Sequence, residues 1–254
     1  MTSRSILAAA AVLGIAAAVA AADRDTRVFE MRTYYAPPGR LDDLHARFRD
    51  YTLELFEKHG LTSLGYWTPV DNPDNKLIFV LVFPSREARE KAWKAFVADP
   101  DWKEARRITE ADGPIVSKIE SVLLGPTDYS PVVQPEAVGD RAFELRTYIA
   151  SPGNLANLNA RFREHTTRLF EKHGMTKVVY WCSLKGQPGA GEQLIYLLSH
   201  RSVEAAKASF DAFRQDPAWL AARAASEEKA GGSLTAPGGV QSEFLEATDY
   251  SPLR

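Results

Sequence analysis

The chain is 254 residues long, 45% hydrophobic and 25% charged, with a formal net charge of −2. That balance suits a globular protein with apolar material for one large core or two small ones, and it excludes the concentrated basic surface of a nucleic-acid binder. The single cysteine, Cys182, excludes an internal disulfide and any cysteine-based metal site.

The first residues read as a leader. After MTSR, residues 5–22 carry no charge and end in small side chains, with Ala20 and Ala22 at the −3 and −1 positions of a cleavage before Asp23. The pattern predicts a secretory signal peptide over 1–22, export to the periplasm or the cell exterior, and no stable membrane span after cleavage. An uncleaved anchor is the competing reading, because about 18 apolar residues nearly suffice to cross a bilayer. Alanine is a weak membrane residue, and the small-residue end favours cleavage.

From Phe29 the stretch FEMRTYYA alternates apolar and polar residues, which is strand periodicity. PPG then turns the chain into a helix whose Leu41, Leu44, Phe48, Thr52, Leu55 and Phe56 recur at three- and four-residue steps. Gly60 follows that helix and suits the left-handed position that ends it. LTSLGYWTPV and KLIFVLVF read as two strands joined by DNPDN, a turn-forming run. SREAREKAWKAFVADPDWKEARRITEA reads as a second helical region broken near Pro100, and IVSKIESVLL as a last strand.

The same sequence of elements then returns. FELRTYIASPGNLANLNARFREHTTRLFEKHG, from Phe143, repeats the first copy at an offset of 114 that holds without a gap to Trp67 and Trp181. The offset grows to 117 at ADPDW against QDPAW, and to 121 at the two TDYSP stretches, through Gly- and Pro-rich insertions that belong in surface turns. Two units follow, 24–131 and 138–254, joined by VVQPEAVGD. Each has the order β-α-β-β-α-β, the ferredoxin-like pattern. The predicted fold class is therefore α+β.

A four-stranded sheet with both helices on one face leaves its other face bare. The second copy is the natural cover, so the two units are expected to pair sheet to sheet as an intramolecular dimeric α/β barrel. Side chains alternate along a strand, so Phe29, Met31 and Thr33 share one side and Glu30, Arg32 and Tyr34 the other. The second copy sets Glu144, Arg146 and Tyr148 in the same row. The apolar set is expected against the helices, which would turn both Glu-Arg-Tyr rows into the space between the sheets. There they serve either as ion pairs that fix strand register or as the polar lining of a ligand pocket. Tyr66 and Tyr180, each followed by a tryptophan, are expected to divide, with one ring of each pair toward the helices and one between the sheets.

His59 and His173 end the first helix of each unit. They either stabilise its C-terminus or act as acid–base groups near the barrel mouth. His45, His165 and His200 have no counterpart in the other copy; the first two read as surface residues, while His200 lies on a strand. No metal-ligand spacing, phosphate-binding loop, nucleophile elbow or dinucleotide fingerprint is present, and no histidine stands out as a haem ligand. No metal and no cofactor is expected. The partners left open are a small molecule and a second copy of the chain.

The E-x-R-T-Y strand, the P-G before the helix, the F-E-K-H-G helix end and the Y-W strand, present twice, resemble the NIPSNAP family over nearly the whole mature chain. The resemblance implies tandem NIPSNAP domains in the dimeric α/β-barrel superfamily, which includes cofactor-free monooxygenases and haem proteins. It supplies no accepted catalytic residues. Three functions remain in view. The first is an exported bacterial protein that binds a small, partly apolar molecule between its sheets. The second is a cofactor-free monooxygenase or isomerase, with Tyr34, Tyr148, His59 and His173 moving protons and Arg32 and Arg146 stabilising an oxyanion. The third is a non-catalytic interaction module.

Overall fold

A computed structural model describes residues 25–136, 139 and 141–254. The predicted signal peptide, 1–22, lies outside the described residues. In the first half, β1 (Val28–Tyr35) leads to α1 (Leu41–Arg47), a π-helical turn (Phe48–Thr52) and α2 (Leu53–Lys58). Strands β2 (Thr62–Pro69) and β3 (Lys76–Phe83), helices α3 (Arg86–Ala98) and α4 (Pro100–Thr109), and β4 (Lys118–Pro126) complete it. The second half repeats the order as β5 (Ala142–Ala150), α5 (Leu155–Arg161), a π-helical turn (Phe162–Thr166), α6 (Thr167–Lys172), β6 (Thr176–Ser183), β7 (Gln193–His200), α7 (Val203–Gln215), α8 (Pro217–Ala230) and β8 (Thr235–Ala247).

Local chemistry sets the helix boundaries. Ser85 and Ser202 cap α3 and α7 by accepting hydrogen bonds from the backbone N–H of Ala88 and Ala205. Asp99 and Asp216 cap α4 and α8, each followed by a proline that is tolerated in the first helical turn. Both first helices widen at the same place. The N–H of Leu53 reaches the Phe48 carbonyl, and the Thr52 hydroxyl donates to the Arg47 carbonyl at 3.1 Å. Thr166 and Arg161 repeat that bond at 3.2 Å.

The eight strands form one closed barrel in the order β1-β3-β2-β8-β5-β7-β6-β4. Each half contributes four strands, and closure comes at two seams where antiparallel edges pair: β2 with β8, and β4 with β6. No edge strand is left bare along these seams. The repeated TDYSP stretches lock them reciprocally. Ser130 of the first half accepts from the Tyr180 N–H at 3.0 Å, and Ser251 of the second half accepts from the Tyr66 N–H at 2.9 Å. Asp128 pairs with Arg163, and Asp249 with Arg49.

The barrel interior is apolar. Phe29, Trp67, Phe143 and Trp181 fill its centre, together with alternate residues of β3 and β7. Phe29 packs on Trp181 at 5.5 Å and Phe143 on Trp67 at 5.7 Å, so each half's first strand rests on the other half's tryptophan. Gly65 leaves room for this arrangement, since a Cβ there would lie 2.4 Å from the Trp67 ring. The opposite faces of the strands meet the helices in two further cores, one per half.

This reverses the expected sidedness of the strands. The Phe29 row points into the barrel, and the Glu30, Arg32, Tyr34 and Glu144, Arg146, Tyr148 rows lie under the helices. The centre of this closed eight-stranded barrel is filled by apolar rings from both halves without unpaired charges, and a cavity of about 500 Å³ remains beside it, lined by Met31, Thr33, Val122, Thr147 and Ile195. The helix layer can satisfy the charges because α3 brings its own polar groups down to the sheet.

Candidate functional site

Glu30 is fully buried on the outer face of β1. It accepts from Arg32 at 2.7 Å, from Arg89 at 2.8 and 2.7 Å, from the Trp93 indole at 2.7 Å and from Ser121 at 2.7 Å. Arg89 and Trp93 stand one turn apart on α3, so a single helix face delivers both donors. Burial alone would raise the Glu30 carboxyl. The Arg89 hydrogen bonds, the Arg32 charge and the Ser121 and Trp93 hydrogen bonds outweigh it and bring the group down to about 2.

The second half meets the same need differently. Glu144 accepts from Arg146, from Ser242 at 2.5 Å and pairs with His200 Nε2 at 3.1 Å. Where the first half has Phe83 on β3 and Arg89 on α3, the second has His200 and Ala206, so the partner has moved from helix to strand. His200 is therefore a buried partner of Glu144 on the helix side. Burial raises the Glu144 carboxyl, but His200, Arg146 and Ser242 together hold it below the usual carboxylate range.

Beside the Glu30 cluster a pocket of about 530 Å³ opens between the sheet and the helices. Its aromatic walls are Tyr34, Phe48, Phe56, Trp93, Phe96 and Trp102. Arg32, Arg47 and Arg106 supply cations, Glu110 a carboxylate, and Val97 and Ile119 an apolar rim. The π-helical turn positions Arg47, Phe48 and Thr52 along one side. Arg32 lies over the Trp93 ring at 4.4 Å, and Arg47 over Trp102 at 5.3 Å. Arg47 is buried and pairs with Glu110 at 2.6 Å. The Nε–H groups of Arg32 and Arg47 are buried and have no hydrogen-bond partner among the described residues.

Of the residues singled out in the sequence, Arg32 and Tyr34 line this pocket, and Glu30 anchors Arg32 from behind. Tyr66 and Tyr180 are fully buried beneath the helices, stacked on Phe79 and Tyr196, and burial pushes both phenols up. Their neighbours Trp67 and Trp181 point into the barrel, so each pair does divide between the two faces. Arg146 and Tyr148 occupy the equivalent ground in the second half, where Arg146 Nε donates to the Tyr196 hydroxyl at 3.0 Å.

His59 and His173, for which helix-end stabilisation and acid–base chemistry are the two readings, lie outside the lining of the pocket. Their Nε2 atoms meet Asp99 and Asp216 at 2.6 and 2.7 Å, tying the end of each first helix to the cap of the last helix. Lys58 and Lys172 pair with the same carboxylates. Hydrogen bonds from the lysine, the histidine and a backbone N–H hold both Asp carboxyls well below their usual range. Asp99→Ala removes a cap and both pairings at once, so it is expected to lower the melting temperature more than Lys58→Ala, as scanning calorimetry would show.

Arg47, Arg89, Trp93 and Trp102 escape a motif search because they sit in amphipathic helices where charged and aromatic residues are ordinary. One signal was present: the copies differ at Phe79/Tyr196, Arg89/Ala206 and Trp93/Phe210, all around one arginine.

Among the described residues, no group of three or more His, Cys, Asp or Glu could hold a metal ion, and no helix is long and apolar enough to cross a membrane. The sequence matches the NIPSNAP family over residues 29–131 and 143–252. The chain belongs to the NIPSNAP family. No curated protein matches it. A candidate monooxygenase from Lactobacillus acidophilus shares the fold, with a TM-score of 0.55 and 12% identity over 88% of this chain and 94% of that one. An anthrone oxidase-like protein gives 0.54 and 15% over 91% and 95%. A NIPSNAP family protein from Agrobacterium tumefaciens gives 0.38 and 19%, covering 42% of this chain and 98% of its own. This NIPSNAP chain carries two similar halves in one barrel.

Proposed function

We propose that this NIPSNAP protein binds a small, partly apolar molecule, that the site is the helix-covered pocket of its first half, and that residues 1–22 export it to the periplasm or cell exterior. The space between the sheets is the poorer candidate, because Phe29, Trp67, Phe143 and Trp181 occupy the centre of the barrel and the cavity left beside them, lined by Met31, Thr33, Val122, Thr147 and Ile195, has no aromatic wall. One observation carries the reading: a pocket of about 530 Å³ is walled by aromatic rings and lined by Arg32 and Arg47, whose buried Nε–H groups have no hydrogen-bond partner among the described residues. Binding sites have this size and this mixture of apolar wall and few polar anchors.

The test is a thermal-shift titration of the chain with planar bicyclic aromatic probes. A probe at 100 times its Kd stabilises by about 2.7 kcal/mol, which for a chain of this size is a rise of roughly 5–10 °C. Val116→Trp, which fills the pocket from its wall, is expected to abolish the rise. A response that survives Val116→Trp places binding elsewhere.

A cofactor-free monooxygenase or isomerase is the second reading. Its support is local: Arg32 and Tyr34, an oxyanion stabiliser and a proton carrier, line the same pocket. Structural likeness to proteins named for oxidation contributes the fold alone. An interaction module would rest on the exposed Val97, Ile108 and Leu220, one each on α3, α4 and α8, and Val97 already belongs to the pocket rim.

A further inference from the structure

Charge around the pocket is unbalanced in one direction. Glu30 is shared by Arg32 and Arg89, and Glu110 by Arg47 and Arg106. Three guanidiniums that line the pocket thus share two carboxylates, one of which also serves Arg89 outside the lining, so the pocket keeps a positive excess. Lys118, at the rim, is paired with Glu120 and adds nothing to this excess.

The second half shows how the same scaffold looks when its arginine is satisfied from within. Arg146 donates to Glu144, to the Tyr196 hydroxyl at 3.0 Å and to the Tyr148 hydroxyl at 3.4 Å. Glu144 has one arginine and a histidine as partners, and an imidazole adds charge only when protonated. In the first half Phe79 stands where Tyr196 stands in the second. Its ring offers no acceptor, and Arg32 Nε is left without a partner. Arg47 Nε is unpartnered too, on a side chain that is 4% exposed, and so is the Nε of its second-half counterpart Arg161, so the difference between the halves lies at Arg32. A buried donor without an acceptor is costly, and a charged acceptor is its best remedy.

We infer that the first-half pocket selects an aromatic anion, a planar ring system bearing a carboxylate or phenolate. Its rings lie among Phe48, Trp93 and Trp102, and its oxygens accept from Arg32 and Arg47. This rests on the pocket being the binding site and specifies the ligand class it takes. Phe79 acts as a specificity-determining residue: by withholding the hydroxyl that Tyr196 gives Arg146, it leaves the Arg32 guanidinium less committed within the protein and freer to turn to an anion. Tyr196 makes the opposite choice in the second half.

The experiment is calorimetric titration of the chain with 2-naphthoate and with 2-naphthamide, its uncharged counterpart of nearly equal shape. Naphthoate is expected to bind at least about 10-fold more tightly, a margin that narrows as salt rises. Phe79→Tyr, which copies the second half, is expected to cut that preference several-fold while leaving the affinity for naphthamide unchanged. Arg32→Gln is expected to remove most of the preference. If Arg32→Gln does not fold, Phe79→Tyr and the salt series decide. Equal binding of both probes overturns the anion assignment and leaves the pocket as a neutral apolar site. Binding of neither probe at millimolar concentration overturns the pocket itself along with the ligand class.

Discussion

Glu30→Gln is expected to be among the most destabilising single substitutions in this protein. It converts one fully buried carboxylate with five donated hydrogen bonds into an amide that matches neither guanidinium. Breaking a buried pair by removing one partner costs about 3–5 kcal/mol, because a charge remains without compensation. For a chain of this length that corresponds to a fall of roughly 6–20 °C in melting temperature. Glu144→Gln is expected to cost less, since Arg146 keeps the Tyr196 and Tyr148 hydroxyls.

The acid limb of stability carries the same signature. The Glu30 carboxyl falls from an ordinary 4.5 to about 2 in the folded protein. A carboxyl depressed on folding contributes its stability above its unfolded value and loses it as the pH drops toward its folded value. The contribution, about 3 kcal/mol, is present above pH 4.5 and disappears between pH 4.5 and 2. Denaturant melts over that window should fall more steeply for the parent than for Glu30→Gln. Parallel acid limbs, or an unchanged midpoint at pH 7, would show that the Glu30 cluster is not what holds α3 to the sheet.

Trp181→Ala is expected to lower the stability of the entire chain, by about 3–5 kcal/mol for a large buried aromatic side chain, in one cooperative transition. Trp181 lies on β6 of the second half, yet its ring packs on Phe29 of the first, and the seams β2–β8 and β4–β6 join the halves by backbone hydrogen bonds. Trp67→Ala should match it, through Phe143. Calorimetry with two resolved transitions, only one of them moved by Trp181→Ala, would mean that the halves fold independently.

Much of this architecture could be read along the chain. The alternation in FEMRTYYA, the three- and four-residue steps of the first helix, the Asp-Pro break between α3 and α4 and the return of every element after Phe143 together imply two ferredoxin-like halves. These are local signals, carried by backbone preference and side-chain period, and they survive without any knowledge of what lies opposite. Alternation also sorts Glu30, Arg32 and Tyr34 from Phe29 and Met31.

What alternation cannot say is which of two buried faces each row joins. In this protein both faces of the sheet are covered, so hydrophobicity alone does not name the inside. The tertiary structure decided it. The barrel interior offers few polar partners, and even the indole N–H groups of Trp67 and Trp181 find none there among the described residues, so the apolar Phe29 row turned inward and the charged row did not. The charged row found Arg89 and Trp93 on a helix roughly sixty positions away in sequence. The pocket, the unpartnered Nε of Arg32 and the reciprocal hold of the two TDYSP stretches all follow from contacts between distant segments. Such contacts leave no period in the chain, because they are set by where packed elements meet rather than by the preferences of neighbouring residues.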